Sequence, residues 1–236
     1  MRDLHPMIQS LSENFLRSWG EHFIVREVGI PEDFRKIDRA DDDDAVYIEN
    51  FVWETHHFRK IHLEIAQMKS GLDILHTNMY PRYEYNLPIF GADIVASSKN
   101  VGAAIVDISS IREDRTLPSQ YDILNVVDDR EFEKDKKMPD WGDVFSEHCV
   151  FVSPTEDEYD KFNSIAFTFL NYHCAIANIT EATTDEDQIR KNYEGHKYYC
   201  EKQRQNNKTK GVLKGIFGEE FADKYIAEML FDYPEL

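Results

Sequence analysis

Between Phe58 and Ala96 the chain reads FRKIHLEIAQMKSGLDILHTNMYPRYEYNLPIFGADIVA, and this stretch restricts the fold more tightly than any other. It reads as three strands. Phe58–Met68 alternates, with Ile61, Leu63 and Ile65 on one face and Lys60, His62, Glu64 and Ala66 on the other. Lys69-Ser70-Gly71 is a short glycine-ended connection of the kind that closes a hairpin. If Met68 faces Leu72 across that turn, counting back along both strands puts Glu64 opposite His76. Residues directly opposite on an antiparallel pair share a face, with Cβ atoms ~5 Å apart. A carboxylate and an imidazole then meet, and Asp93 follows on the next strand. A register slip of one residue would turn a strand's side chains to the other face, so the expectation is a sharp one.

The 236 residues suit one large domain, 1–236, with a substantial core, since 42% of them are hydrophobic and 13% aromatic. No apolar run approaches the roughly 20 residues of a membrane span. The opening MRDLHPMIQSLSENFLRSW has acidic residues and no apolar core segment, so it does not read as a secretory signal, and the expected compartment is cytoplasmic. Cys149, Cys174 and Cys200 lie far apart and read as buried free thiols, not as a metal or disulfide framework. A formal charge of −18 disfavours nucleic acid and anionic membranes, although a local patch can carry the opposite sign.

Taken in order, Leu4 to Trp19 has the apolar spacing of an amphipathic helix, with Gly20 expected to stop it. Pro31 to Asp44 is loop-like and ends in Asp41–Asp44, which lacks the alternate spacing and terminal glutamate of a calcium loop and reads as a solvated turn. Val46–Glu54 is a strand, the three central strands follow, and Gly102–Ser109 pairs back through Ser98-Lys99-Asn100. Short turns make this an antiparallel meander. Residues 110–146 are irregular, and Glu147–Ser153 is a sixth strand. Asp157–Asn178, Glu186–Gln205 and Gly218–Phe231 have helical periodicity, with Asn206-Asn207-Lys208 expected to break the chain between the last two. The predicted architecture is a three-layer α/β/α sandwich: a central six-stranded antiparallel sheet with helices on both faces.

No G-x-G-x-x-G, P-loop, G-x-S-x-G or H-E-x-x-H occurs, so nucleotide hydrolysis, Rossmann cofactors, esterase and zincin chemistry lack their usual signatures. His56-His57 and His62 invite a metal, but neighbours on a strand point to opposite faces and would not converge on one ion; no metal is expected. Glu64, His76 and Asp93 remain, either as a polar, solvated sheet face or as a buried group. Helices must cover the sheet, and His76 shares its face with Leu72 and Ile74, which favour burial. Asp93 sits among apolar residues in IFGADIVA, where a carboxylate must find a partner or keep its proton. A buried histidine and aspartate that share protons can hold one ready for transfer near neutral pH.

Several ordered pieces carry a resemblance over most of the chain: LHPMIQ at the start, FRKIHLE…GLDILH, LPIFGADIVA, the WG-x-x-FSE-x-C run at Trp141–Cys149, and NNKT-x-x-VL followed by LFD. In these the chain resembles the ferredoxin-dependent bilin reductases, and among them the branch that makes phycocyanobilin. The resemblance implies an α/β/α sandwich that holds biliverdin between the sheet and the C-terminal helices. It also implies a radical mechanism without bound metal or flavin, in which a [2Fe–2S] ferredoxin, working near about −400 mV, delivers single electrons while the protein supplies protons. By the same resemblance Asp93 is the central proton donor, His76 shares protons with it, and Glu64 protonates the D-ring exovinyl group. That implies a four-electron reduction of biliverdin IXα to phycocyanobilin, exovinyl group first and A-ring second. Relatives that reduce the 15,16 methine bridge and make phycoerythrobilin are the alternative, and a tetrapyrrole carrier without redox chemistry is a third.

For the substrate's propionates and pocket walls the resemblance points to Lys208, Asn206, Lys136, Trp141, Val212 and Ile74, with His62 a secondary member beside Glu64. Lys136 stands where the family often has arginine, which keeps the charge but loses the bidentate fork. Gly102 replaces a family serine and removes a hydroxyl. From Arg190 to Lys214 eight basic residues face only two acidic ones, against the trend of the chain. Lys197, Lys202, Arg204, Lys210 and Lys214 are therefore expected to dock the acidic ferredoxin by electrostatic steering, with Lys134, Lys136 and Lys137 as an extension. Nothing in the sequence suggests an obligate dimer, and a monomer is expected.

Overall fold

The hairpin forms as its alternation requires. In the computed structural model, which describes residues 3–39, 46–127 and 130–236, β4 (Phe58–Met68) and β5 (Leu72–Pro81) pair antiparallel, and Glu64 lies opposite His76. Gly71 takes φ +90° in the connecting turn, a conformation an L side chain rarely adopts, and its N–H donates to the Met68 carbonyl. The meander continues on both sides through β3 (Val46–Glu54), β6 (Ile89–Ser97), β7 (Val101–Ser109) and β8 (Val150–Val152). Every pairing is antiparallel.

Among the described residues eight strands are present where six were expected. The two additional ones, β1 (Arg26–Glu27) and β2 (Lys36–Asp38), are too short for a readable alternation, and both pair with β3 at the sheet edge. The four-residue helix α2 (Glu32–Arg35) between them occupies part of the expected loop and buries Phe34. Asp41–Asp44 lie outside the described residues. The sixth expected strand shrinks to three residues at the opposite edge.

The alternation gives the sheet two covered faces. On one, Ile61, Leu63, Leu75, Phe90 and Ile94 pack with Met7, Leu11, Phe15 and Trp19 of α1 (Pro6–His22) and Phe162, Phe169 and Leu170 of α3 (Tyr159–Ile179). On the other, Ile48, Ala66, Tyr80 and Ile89 pack with Tyr199 and Cys200 of α4 (Glu186–Gln203), Leu213 of α5 (Asn207–Phe217) and Tyr225 of α6 (Glu219–Tyr225). A π-helical turn, Ile226–Leu230, then carries Phe231 into the same layer. Cys174 and Cys200 are buried free thiols and Cys149 is half-buried.

Beyond shifts of one or two residues at other ends and the π-helical turn that closes the last helix, two departures among the helices have a clear cause. α1 runs through Gly20 to His22, because its buried face continues to Trp19 and the Phe23 N–H still donates to the Trp19 carbonyl. Asn206-Asn207-Lys208 begins a helix: the Asn206 side chain accepts from the N–H groups of Lys208 and Thr209 as the N-cap of α5. Among the described residues no helix is long and apolar enough to cross a membrane.

Candidate active site

The expected acids and imidazole stand in one row across four strands. Asn50 on β3 faces Glu64 on β4, Glu64 faces His76 on β5, and His76 faces Asp93 on β6. All four are on the sheet face covered by the C-terminal helices. The neighbouring row reads Val52, His62, Asn78, Gly91 and Asp107. Two rows rich in polar side chains thus cross the centre of the sheet, opposite a face where Ile61, Leu63, Leu75 and Ile94 predominate.

Glu64 is buried, and its carboxylate accepts a hydrogen bond from the Tyr225 hydroxyl. Burial raises its pKa above the ordinary glutamate value; His76 and the Tyr225 hydrogen bond pull the other way, and Asp93 adds to the rise. The side chain therefore holds a proton at higher pH than a solvated carboxyl group does. His62 is fully buried; its Nε2 lies 2.8 Å from Asn50 Oδ1, while its Nδ1 has no hydrogen-bond partner. Burial, Lys60 and His76 all push its pKa well down, so the ring is neutral. Its centroid lies 5.8 Å from that of His76.

His76 is buried, whereas the Asp93 side chain is 35% exposed. Their Nδ1 and Oδ2 atoms are 3.4 Å apart, long for a hydrogen bond and of the kind that tightens when a site is occupied. Asp93 is therefore paired, as its apolar surroundings demanded, but less enclosed than the sequence suggested. Phe231 closes over His76 edge-on, centroids 5.5 Å apart. What holds Phe231 there is the adjoining Asp232. Its carboxylate meets Lys60 Nζ at 2.5 Å and Arg59 Nη1 at 2.7 Å, and Lys60 also donates to the Met229 carbonyl. Burial outweighs the attraction of Asp232 at Lys60 and lowers its pKa. At Asp232 burial acts upward, but the two cations prevail and hold the carboxyl below the usual range.

The remaining expected site residues divide. Ile74 shares the site face, one row from Glu64, between Ala66 and Val95. Lys136 Nζ donates to the carbonyl of Gly102 at 2.9 Å, so the two positions that depart from the family pattern touch each other. Trp141 is half-buried against Phe145. Its segment is tied to the sheet by buried Asp107, whose carboxylate accepts from Ser146 Oγ and N–H and from Ser109 Oγ. The Asn206 side chain is engaged in its cap, Lys208 is exposed, and Val212 is 41% exposed on α5.

In the basic stretch, Lys202 pairs with Asp143, Lys210 with Asp223 and Lys214 with Glu219. The Arg204 guanidinium donates to the carbonyls of Phe231 and Ala227. Much of the local positive excess is thus met by acids from neighbouring segments. His56 and His57 do not alternate on a strand, as the metal argument assumed. They lie in the turn between β3 and β4 with ring centroids 5.0 Å apart, both against Tyr85. Among the described residues no three His, Cys, Asp or Glu side chains gather as a metal ion would require.

Sequence reasoning missed Asn50, Asn78, Tyr199, Tyr225 and the Lys60–Asp232 pair. Asn78 carried a usable signal, since it stands two residues from His76 on a strand and so shares its face, and Asn50 joins the row through its pairing with Glu64. Tyr225 carried none, being 161 positions from its partner.

With this geometry in view, likeness to known proteins is informative. A family model described as ferredoxin-dependent bilin reductase matches residues 12–232. The phycocyanobilin:ferredoxin oxidoreductase of Gloeobacter violaceus is 39% identical, over 98% of this chain and 92% of its own length. That of Trichodesmium erythraeum is 37% identical, over 98% and 94%. Among solved structures, tomato phytochromobilin synthase in complex with biliverdin superposes with a TM-score of 0.82 at 19% identity, over 94% of this chain and 82% of that one. At that identity the superposition speaks for the fold, and the sequence matches speak for the lineage. This chain belongs to the ferredoxin-dependent bilin reductases.

Proposed function

We propose that this protein reduces biliverdin IXα to phycocyanobilin in four one-electron steps, with electrons from a [2Fe–2S] ferredoxin and protons from Asp93, His76 and Glu64. The observation that carries the reading is the row Glu64–His76–Asp93, two carboxyl groups flanking one imidazole on a single sheet face. An open-chain tetrapyrrole accepts an electron more readily once protonated, so proton donors aimed at the carbons being reduced lower the barrier to each transfer. Glu64, whose pKa burial raises, is the donor to the exovinyl group, and Asp93 with His76 serves the pyrrole and lactam groups. Lys136 and Lys208 supply positive charge for the propionates.

The relatives named above support phycocyanobilin as the product, and Glu64 agrees with it through the exovinyl role that the resemblance implies. The test is an anaerobic reaction with biliverdin and a ferredoxin-reducing system, followed by chromatography of the product. Phycocyanobilin is expected. Phycoerythrobilin would overturn the regiochemistry while leaving the reaction class, and stoichiometric pigment binding without bleaching would overturn reduction itself.

A further inference from the structure

His76 is not positioned by Asp93 alone. Its second ring nitrogen, Nε2, lies 2.8 Å from Asn78 Nδ2. Asn78 Oδ1 in turn accepts from the Tyr199 hydroxyl at 3.1 Å, and that hydroxyl accepts from Gln203 Nε2 at 3.0 Å. All of these side chains are buried. The space is made by Gly91: a Cβ there would stand 2.7 Å from Asn78 Oδ1 and 3.2 Å from the Tyr199 hydroxyl. Two C-terminal-layer side chains on α4 are thereby coupled to an imidazole in the middle of the sheet.

The chain of hydrogen bonds has a direction. A phenol owns one proton; if its oxygen accepts from Gln203, that proton goes to the remaining partner, Asn78 Oδ1. The Asn78 amide then turns its NH2 toward His76, and an NH2 needs a bare nitrogen to receive it. Nε2 is accordingly the unprotonated nitrogen, and Nδ1 carries the hydrogen and points it at Asp93 Oδ2. We infer that Asn78, held by Tyr199 and Gln203, is a positioning residue that sets the His76 tautomer and so decides which oxygen of Asp93 carries the transferable proton.

The consequence for chemistry rests on the functional reading above. With Nδ1–H directed at Oδ2, a proton that Asp93 takes up for transfer sits on Oδ1, outside the His76–Asp93 contact, where it is available to the pigment. When that proton leaves for the substrate, the resulting carboxylate keeps an N–H donor at Oδ2, and charge and protons balance without a second transfer. The opposite tautomer would present a bare Nδ1, which would draw the Asp93 proton into the pair and away from the substrate. Asn78 touches neither pigment nor proton in this scheme; it acts through His76.

The tautomer is read directly by long-range ¹H–¹⁵N correlation on histidine-labelled protein without pigment, with His76 identified by its loss in His76→Gln. Expected for the unsubstituted protein is a pyrrole-type Nδ1 and a pyridine-type Nε2. Tyr199→Phe, which frees the Asn78 amide to turn over, should give a mixture. Asn78→Asp, which offers only acceptors, should move a proton onto Nε2 and slow reduction by roughly tenfold, a fraction of the ~10²–10⁴ that a positioned proton-transfer group contributes. A protonated Nε2 in the unsubstituted protein, or an unchanged pattern in Tyr199→Phe, overturns the inference even if Asn78→Asp fails to fold. Failure to reduce biliverdin would sink the functional reading and leave the tautomer measurement standing, so the two failures are distinguishable.

Discussion

The Tyr225 hydroxyl donates to the Glu64 carboxylate across the boundary between the C-terminal helices and the sheet. The same hydroxyl lies 2.8 Å from Asn50 Nδ2, and that amide also donates to the Phe34 carbonyl. One phenol therefore ties α6, β3 and β4 together at the edge of the site. Burial and the carboxylate beside it push the Tyr225 pKa well up, so it acts here as a donor. Tyr225→Phe deletes this link and strips a buried carboxyl group of a donor. A loss of about 1–3 kcal/mol in urea unfolding is expected, the cost of leaving a buried polar group unsatisfied.

Glu64→Gln separates chemistry from stability. Product chromatography should show a bilin whose exovinyl group is intact; full phycocyanobilin production would remove the assignment. Stability should move in the other direction. Because the folded-state pKa of Glu64 is raised, the protein loses stability as pH rises from the ordinary glutamate value through the folded one. The glutamine variant is free of that loss, so its melting temperature relative to the parent should climb as pH increases through that window. A difference independent of pH would contradict the raised value.

Asp93→Asn should leave a folded protein, since the side chain is only partly enclosed, and should still bind biliverdin. Reduction should stall at a radical or an unreduced pigment, visible in anaerobic absorption and electron paramagnetic resonance spectra. Turnover at the parent's rate would displace Asp93 from the centre of the mechanism.

Removing Asp232 tests the clamp that seats Phe231 on His76. Asp232→Ala leaves Lys60 buried without its carboxylate, and breaking such a pair costs roughly 3–5 kcal/mol when both partners are enclosed. Asp232 is 23% exposed, so the low end, about 3 kcal/mol, is expected by chemical denaturation. In the parent, the contribution of this depressed carboxyl group is present above the ordinary aspartate pKa and disappears as pH falls through the folded value. Acid titration of stability should therefore be shallower in the variant.

On the basic stretch the ion pairs rank the lysines. Lys197→Glu should raise the ferredoxin concentration needed for half-maximal reduction and flatten its salt dependence. Lys210→Glu should do so less, because Asp223 already meets that charge at 2.6 Å. Steady-state turnover at limiting ferredoxin, from low to high ionic strength, checks both. Equal and negligible effects would remove this surface from docking.

How far the sequence reached depends on the distance over which its signals act. Alternation along Phe58–Met68 and the glycine-ended turn after it are local, and between them they determined the pairing of Glu64 with His76, because alternation fixes the face and the short turn fixes the register. Helical spacing likewise determined α3 and α4. The link between β5 and β6 is seven residues with no turn that counts a register, so only pairing in the folded sheet set Asp93 beside His76. Asn206 was misread for a related reason: asparagine breaks a helix in its interior and begins one at its cap, and the choice is made by whether the next turn of chain packs against the core. Beyond that lie Tyr225 on Glu64, Tyr199 on Asn78 and Asp232 on Lys60. These contacts join segments more than a hundred positions apart, no periodicity reports them, and they arise because the C-terminal helices must bury an apolar face on the same side of the sheet that carries the acids.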